Sequence, residues 1–188
     1  MQLKFVSSLI LALALVFGAA QSSLADTAPR PSLDELFAKL SKAGDEETAK
    51  ILEDAIWQTW LTSGSDSVDL LMSRAMEAMS DDDMETAEHL LTAIVEIKPN
   101  YAEAWDKRAQ LYFGQDKYEE AIVDLEQTLR LEPRHFAALA GLGKIFEEYG
   151  QKQKALEAYR KALQIHPFLE GVSKEIERLS PEVEGRGI

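Results

Sequence analysis

Cysteine is absent from this chain of 188 residues, and histidine occurs only three times. Without cysteine the chain has no disulfides and no thiol nucleophile, so packing alone must stabilise its fold. Basic residues are also scarce, with 20 Lys and Arg against 33 Asp and Glu. Nucleic acids and anionic membranes are bound through a surplus of basic side chains, so the sequence predicts that neither is a partner.

No apolar run is long enough to span a bilayer, which needs about 20 residues. The longest run, Leu9 to Ala20, has twelve residues and follows Lys4. This pattern is typical of a signal peptide, here residues 1–25. Cleavage is predicted after Ala25, with Ala20 as the alternative site. The mature chain would then carry 19 basic and 33 acidic residues, a net charge of −14, which favours the solubility of an exported protein.

What the chain does contain is a period of 34 residues. Within each period a large residue is followed by a small one, an alanine and a proline, and the later periods add Tyr or Phe. This order resembles the tetratricopeptide repeat. The resemblance implies an all-α, right-handed α-solenoid of antiparallel helix pairs. The four columns in register are Leu71, Trp105 and Leu139; Ala75, Ala109 and Gly143; Ala87, Ala121 and Ala155; and Pro99, Pro133 and Pro167.

The register divides most of the chain into three repeats, residues 68–101, 102–135 and 136–169. Small residues let the paired helices approach closely, and each proline ends a second helix because it lacks the N–H donor. Gly150 is predicted to end a helix in the last repeat. Residues 170–188 are predicted to form a capping helix and a tail.

Residues 26–67 precede the repeats and are predicted to form a linker and a degenerate helical pair. Ser32 and Glu35 have the spacing of a capping box, and so do Asp116 and Glu119 in the middle repeat. Terminal repeats of solenoids are atypical because one of their faces meets no neighbour. The N-terminal pair is therefore predicted to cap the first repeat.

No catalytic constellation is present in the sequence. His89, His135 and His166 lie outside metal-ligand spacings, and Gly141-Leu142-Gly143 falls within a predicted helix rather than in a phosphate-binding loop. Asp81-Asp82-Asp83 is interpreted as a solvated turn whose last residue caps the next helix. The sequence thus predicts no enzyme, no cofactor and no metal site.

The resemblance places a binding groove on the concave face, which the first helix of each repeat lines. For Met72 and Met76 two interpretations stay open, a groove surface for apolar partners or contact with Trp57 and Trp60. Some relatives clamp a carboxylate with Lys, Asn and Arg side chains, of which only Lys107 is matched here. The predicted partner-binding residues are Met72, Met76, Asp106, Lys107, Gln110, Phe113, Lys144, Glu147 and Glu148.

The predicted function is a non-catalytic adaptor or scaffold of the bacterial cell envelope that binds a protein or peptide. The signal peptide predicts a periplasmic location in a Gram-negative cell, or secretion, with no membrane attachment after cleavage. Two alternatives stay open: a structural protein that associates with itself as a homo-oligomer, and an accessory subunit or regulator of an envelope enzyme.

Overall fold

The computed structural model describes residues 31–185, so the predicted signal peptide lies outside the described residues. Residues 31–185 form nine α-helices and no strand, which confirms the all-α class. No helix in this range is long and apolar enough to cross a membrane. The helices are α1 Leu33–Leu40, α2 Glu46–Trp60, α3 Asp66–Ser80, α4 Met84–Ile97, α5 Ala102–Gly114, α6 Tyr118–Leu131, α7 Phe136–Glu148, α8 Lys152–Ile165 and α9 Val172–Val183.

Three helix pairs, α3 with α4, α5 with α6 and α7 with α8, follow the 34-residue period and build an all-α solenoid. Small residues lie where paired helices touch, as the sequence predicts. A Cβ atom on Gly143 would lie 2.4 Å from Cε1 of Tyr159, so only glycine admits this aromatic ring beside α7. Each period ends in a proline, with Pro99, Pro133 and Pro167 two residues beyond α4, α6 and α8.

A further set of equivalent positions, 34 residues apart, lies in the turn that joins the two helices of each repeat. Asp82 and Asp116 have φ angles of 61° and 57°, and Gly150 has 67°. This left-handed conformation ends a helix, and the next residue's N–H bonds back to its last turn, as Lys117 does to Tyr112. The predicted helix stop at Gly150 is confirmed. The predicted cap at Asp116 is wrong, because its backbone closes α5 and leaves the N-cap of α6 to Lys117.

The acidic turn before α4 behaves as the sequence predicts. Asp83 is the N-cap residue, and its Oδ1 accepts a hydrogen bond from the N–H of Thr86 at 3.1 Å. The capping box of α1 is also confirmed. Ser32 Oγ accepts from the N–H of Glu35 at 3.3 Å, and the Glu35 carboxylate accepts from the N–H of Ser32 at 2.8 Å.

The C-terminal helix α9 packs on the last repeat. Val172 and Leu179 are buried against Leu156 and Tyr159 of α8. Its polar side forms ion pairs with the same repeat, including one of Arg160 Nη1 with Glu184 at 2.7 Å. Helix α9 therefore covers apolar surface of its neighbour in sequence.

The N-terminal helix pair, α1 and α2, packs on the third repeat, so the prediction that it caps the first repeat is wrong. The buried residues of α3 pack against α4 and α5, and Leu70 and Met76 of the same helix are exposed. The pair instead shares one core with Phe136 of α7 and with the residues around the end of α8. The buried residues of the pair in this core are Leu36, Phe37, Leu40, Ala49, Ile56 and Trp60.

Candidate functional site

A pocket of about 350 Å³ opens between α5 and α7, the first helices of the second and third repeats. We call it the groove pocket. Its apolar lining comes mainly from these two helices, and the segment before α9 closes one side. Its polar groups are Asp106, Gln110, Lys144 and Glu170. The complete lining is Asp106, Ala109, Gln110, Phe113, Leu125, Ala137, Ala140, Gly141, Lys144, Ile145, Leu169, Glu170 and Val172.

Four of the nine predicted binding residues, Asp106, Gln110, Phe113 and Lys144, meet in the groove pocket. Because α5 and α7 run side by side, equivalent positions of successive repeats face the same space. The sequence did not predict the contribution of Leu169 and its neighbours, which come from a turn rather than from a first helix.

The other five predicted residues lie elsewhere. Met72 is buried in the core of the first repeat, so it cannot contact a partner, and that core does not contain Trp57 or Trp60. Met76 is 40% exposed on α3, outside the groove pocket, and its role in binding stays a prediction. Glu147 accepts a hydrogen bond from the Tyr159 hydroxyl at 2.8 Å and pairs with Arg178 of α9. The last two are Glu148, which is exposed at the end of α7, and Lys107, which is covered by the N-terminal helix pair.

A buried charge cluster, formed by Glu103, Asp106, Lys107 and His135, lies beside the groove pocket. His135 Nε2 lies 3.3 Å from a Glu103 oxygen, and Lys107 Nζ lies 3.0 Å from the other oxygen. His135 Nδ1 accepts from the N–H of Ala138 at 3.1 Å and so caps α7. The neutral ring therefore carries its proton on Nε2, facing Glu103.

Burial and charge act in opposite directions on the pKa values of this cluster. Burial lowers the pKa of His135, but the carboxylates of Asp106 and Glu103 outweigh it, so its pKa is raised. Burial raises the pKa of Asp106. Burial also opposes ionisation of Glu103, but hydrogen bonding to His135 and the charge of Lys107 hold its pKa below the ordinary value. Protonation of His135 would add a hydrogen to Nδ1, so the charged ring would give up the bond from Ala138 and direct this nitrogen towards Asp106, whose oxygen lies 3.8 Å away.

Ligand atoms of Glu103, Asp106 and His135 all lie within 4.8 Å of one another, which is close enough to bind a metal ion. However, the ammonium of Lys107 already pairs with Glu103, and both ring nitrogens of His135 are engaged. A bound cation would face the repulsion of Lys107 and would cost α7 its cap. The arrangement fits a charge network that joins α5 to α7.

The second feature of this region is the surface on which the N-terminal helix pair lies. We call it the aromatic seat, and it is formed by the first turns of α5 and α7 and by the turns before α7 and α9. It adjoins the groove pocket through Ala137 and Leu169, which contact both. Its residues are Lys107, Arg134, His135, Phe136, His166 and Phe168.

Aromatic rings make the central contacts of the seat. The rings of Trp60 and His135 are stacked, with centroids 4.1 Å apart and an angle of 8° between their planes. Trp57 meets Phe136 edge to face at 5.9 Å, and Lys107 Nζ lies 4.8 Å from the centre of a Trp57 ring. Such contacts add to the free energy gained from burying apolar area.

Ion pairs surround these rings. Arg134 pairs with Asp34 of α1 at 2.7 Å, and its guanidinium lies 4.4 Å from the ring centre of Phe37. His166 Nε2 lies 3.2 Å from a carboxylate oxygen of Glu53 in α2. Sequence reasoning identified Trp57 and Trp60 as members of an apolar helix face but did not predict the seat, because its residues lie 75 or more positions away from Trp60 in four of six cases. The one available signal was the i, i+3 spacing of two tryptophans near the end of α2.

Comparison with known proteins agrees with this architecture. The sequence pattern of the tetratricopeptide repeat matches residues 107–170. A TPR repeat-containing protein of Rhizobium etli is 33% identical over 161 residues, which cover 86% of this chain and 79% of the relative. The small glutamine-rich tetratricopeptide repeat-containing protein 2 of Saccharomyces cerevisiae is 28% identical over 61% of this chain, but the match spans only 34% of the yeast protein.

Solved structures show the same fold. The Sgt2 TPR domain from Aspergillus fumigatus superposes with a TM-score of 0.59 at 23% identity, over 64% of this chain and 81% of that one. The first TPR domain of Spaghetti (RPAP3), bound to the HSP90 peptide SRMEEVD, superposes with a TM-score of 0.59 at 17% identity, over 62% and 93%. Together with the repeat register and the Rhizobium relative, these matches show that the chain belongs to the tetratricopeptide repeat family.

Proposed function

We propose that this chain is a non-catalytic adaptor that binds a segment of a partner protein in the groove pocket. Members of its family generally mediate protein–protein interactions. The observation that supports the proposal is the pocket itself, an apolar cavity with a free cation at its mouth. Lys144 is exposed there and forms no ion pair with any side chain of residues 31–185.

The lining indicates what kind of segment fits. Phe113, Leu125 and Leu169 offer apolar contact, and the small residues Ala140 and Gly141 leave room above α7. A cavity of about 350 Å³ is large enough for one or two apolar side chains. A partner segment with an apolar residue for the pocket and an acidic residue for Lys144 would satisfy both the shape and the charge.

The relatives also suggest a partner class that this proposal leaves out. The RPAP3 domain is described with an HSP90 peptide that ends in two glutamates, a valine and an aspartate. In this chain Lys107 alone matches the basic residues of a carboxylate clamp, and here it pairs with Glu103 beneath Trp57. An acidic tail would have to compete with both, so the groove pocket, rather than Lys107, is the proposed contact.

The test compares Lys144→Glu with the matched control Lys161→Glu, which makes the same charge change at an exposed position of α8. Each full-length chain is used for affinity capture from an envelope extract, followed by quantitative mass spectrometry. A partner retained by the wild type and by Lys161→Glu, but lost with Lys144→Glu, would support the groove pocket. Equal retention by all three chains would contradict it. A dimer lost with Lys144→Glu would instead favour self-association.

We further propose that the chain is exported and acts in the cell envelope. The support is the twelve-residue apolar run after Lys4 and the small residues before Asp26. Sequencing the N-terminus of the protein purified from its native cells tests this. A mature chain that begins at Asp26 or at Gln21 supports export, whereas a chain that retains residues 1–20 contradicts it.

A further inference from the structure

The N-terminal helix pair is bound to the solenoid in the manner of a ligand rather than built into it. The buried cores of the three repeats contain no residue of α1 or α2. The pair forms a separate core that the solenoid completes with Phe136. Residues 61–65 connect it to α3 and include Gly64 with φ of 80°. The pair thus contacts the solenoid mainly through one shared core, and Phe136 is the fully buried residue that the solenoid contributes to it.

The charges of the two surfaces are complementary. In the seat, Arg134 pairs both with Glu132 of the solenoid and with an acid of the pair. The pair contributes two acidic residues to the contact: Asp34 contacts Arg134, and Glu53 contacts His166. The seat therefore offers specific polar contacts to the acidic residues of a bound helix.

The fit of the pair to the seat is incomplete. The indole N–H of Trp60 and Nδ1 of His166 are both buried, and neither has a hydrogen-bond partner among residues 31–185. A buried polar atom without a partner costs free energy that a better-matched ligand would recover. Both residues lie at the contact between pair and seat, because Trp60 stacks on His135 and His166 Nε2 faces Glu53.

We propose that the aromatic seat is a binding site for an amphipathic helix with two aromatic residues three positions apart and an acid one turn before the first. Helix α2, with Glu53, Trp57 and Trp60, is its resident ligand and holds the site in cis. A partner helix of the same chemistry binds when it replaces α2. This inference rests on the proposed function, because the seat adjoins the groove pocket and extends the same binding face.

The test supplies the resident helix in trans. A fluorescent peptide of residues 31–62 is added to the full-length chain, and binding is followed by fluorescence anisotropy. In the wild type the seat is occupied at the high effective concentration of a short tether, so the free peptide binds weakly. In the Trp60→Ala chain the resident helix is weakened, and we expect the peptide to bind at least about tenfold more tightly.

Peptide variants serve as controls. A peptide with Trp60→Ala should not bind, whereas one with Ile51→Ala should bind as the unmodified peptide does, because Ile51 is 65% exposed. A peptide of residues 170–185, which contains α9 and no aromatic residue, should not bind. Binding of the α9 peptide with equal affinity would overturn the proposed selectivity. Equal affinity of the wild-type and Trp60→Ala chains for the unmodified peptide would overturn occupancy in cis.

A second variant is the control for a loss of folding in the Trp60→Ala chain. Asp34 is 85% exposed at its side chain, so Asp34→Lys removes the contact with Arg134 without disturbing a core. This chain should bind the peptide more tightly than the wild type but less tightly than the Trp60→Ala chain. If neither variant binds the peptide while circular dichroism shows native helicity, the proposal is wrong. A wild-type dimer that Trp60→Ala abolishes would place the pair in the seat of a second copy and overturn the cis arrangement.

The two proposals fail in different ways. Lys144→Glu alters the groove pocket and not the seat, so it should leave peptide binding by the Trp60→Ala chain unchanged. If a partner is captured through Lys144 but the Trp60→Ala chain does not bind the peptide, only the proposal for the aromatic seat is refuted. If the Trp60→Ala chain binds the peptide but no partner is captured through Lys144, only the proposal for the groove pocket is refuted.

Discussion

Two helical segments outside the repeats, α9 and the N-terminal pair, cover apolar surface in different ways. Helix α9 packs on α8, its neighbour in sequence, and buries an aliphatic stripe there. The N-terminal pair packs its core on the third repeat and contacts the end of the second through a ring stack with His135 and an ion pair with Arg134. In this chain, therefore, the side chains of a terminal segment determine which surface it covers, and its place in the sequence does not.

The physical reason lies in the partners available at each end. Leu179 meets Leu156 and Tyr159 at the exposed end of the last repeat, which has no later repeat to cover it. At the other end the buried side of α3 packs against α4 and α5, and its exposed apolar residues are Leu70 and Met76. At the seat Trp57 and Trp60 meet the rings of His135 and Phe136, so both tryptophans make aromatic contacts there.

The largest expected effect is on the attachment of the N-terminal pair. Trp60→Ala removes a side chain that is only 7% exposed and stacked on His135, and should weaken the pair's attachment by about 3–5 kcal/mol. Hydrogen exchange should then become fast in α1 and α2 while α5 to α8 stay protected. Ile51→Ala on the same helix is the control. Loss of protection throughout the solenoid would show that the pair belongs to its cooperative core.

The corresponding change at the other end is Leu179→Ala. Leu179 is fully buried between α9 and α8, so its truncation should lower the free energy of unfolding by about 2–5 kcal/mol. Here exchange should increase in α8 as well as in α9, because both share one core. The exposed Glu177→Ala serves as the control. If only α9 lost protection, it would detach from α8 without affecting it, as is expected of the N-terminal pair, and the two ends of the chain would behave alike.

The stability conferred by His135 should depend on pH. Its folded-state pKa is raised above the ordinary value of 6.5 by Asp106 and Glu103, so protonation stabilises the fold. That stabilisation is fully present below pH 6.5 and is lost as the pH rises through the folded-state pKa. The difference in unfolding free energy between the wild type and His135→Gln should therefore shrink as the pH rises above 6.5. A constant difference over this range would argue against a charged His135 in the cluster.

The smallest expected effect is a gain within the repeats. Asp82 has φ of 61°, a conformation that costs a non-glycine residue free energy, whereas Gly150 fills the equivalent turn without strain. Asp82→Gly should stabilise the solenoid by about 0.5–1 kcal/mol in urea unfolding. The exchange rates of α1 and α2 should not change, because the first repeat does not hold the pair. Slower exchange in α1 and α2 would show that the first repeat and the N-terminal pair are coupled.

The sequence by itself determined the repeat unit and its register. Close packing needs small residues at fixed positions, and helix ends need proline or a left-handed residue, so columns such as Pro99, Pro133 and Pro167 report local geometry directly. Equivalent positions of adjacent repeats share one face, which brought Asp106, Gln110, Phe113 and Lys144 into the groove pocket. Met72 was misplaced because the same helical spacing also describes a core position.

Only the tertiary structure decided where the N-terminal pair lies and what surrounds Lys107. Periodicity shows that α2 has an apolar face but does not name the surface that the face meets. Trp60 and His135 are 75 residues apart, and their contact depends on how three repeats arrange the first turns of α5 and α7. Local rules act over a few residues and therefore specify the helices, whereas contacts between distant surfaces follow from the summed geometry of the solenoid.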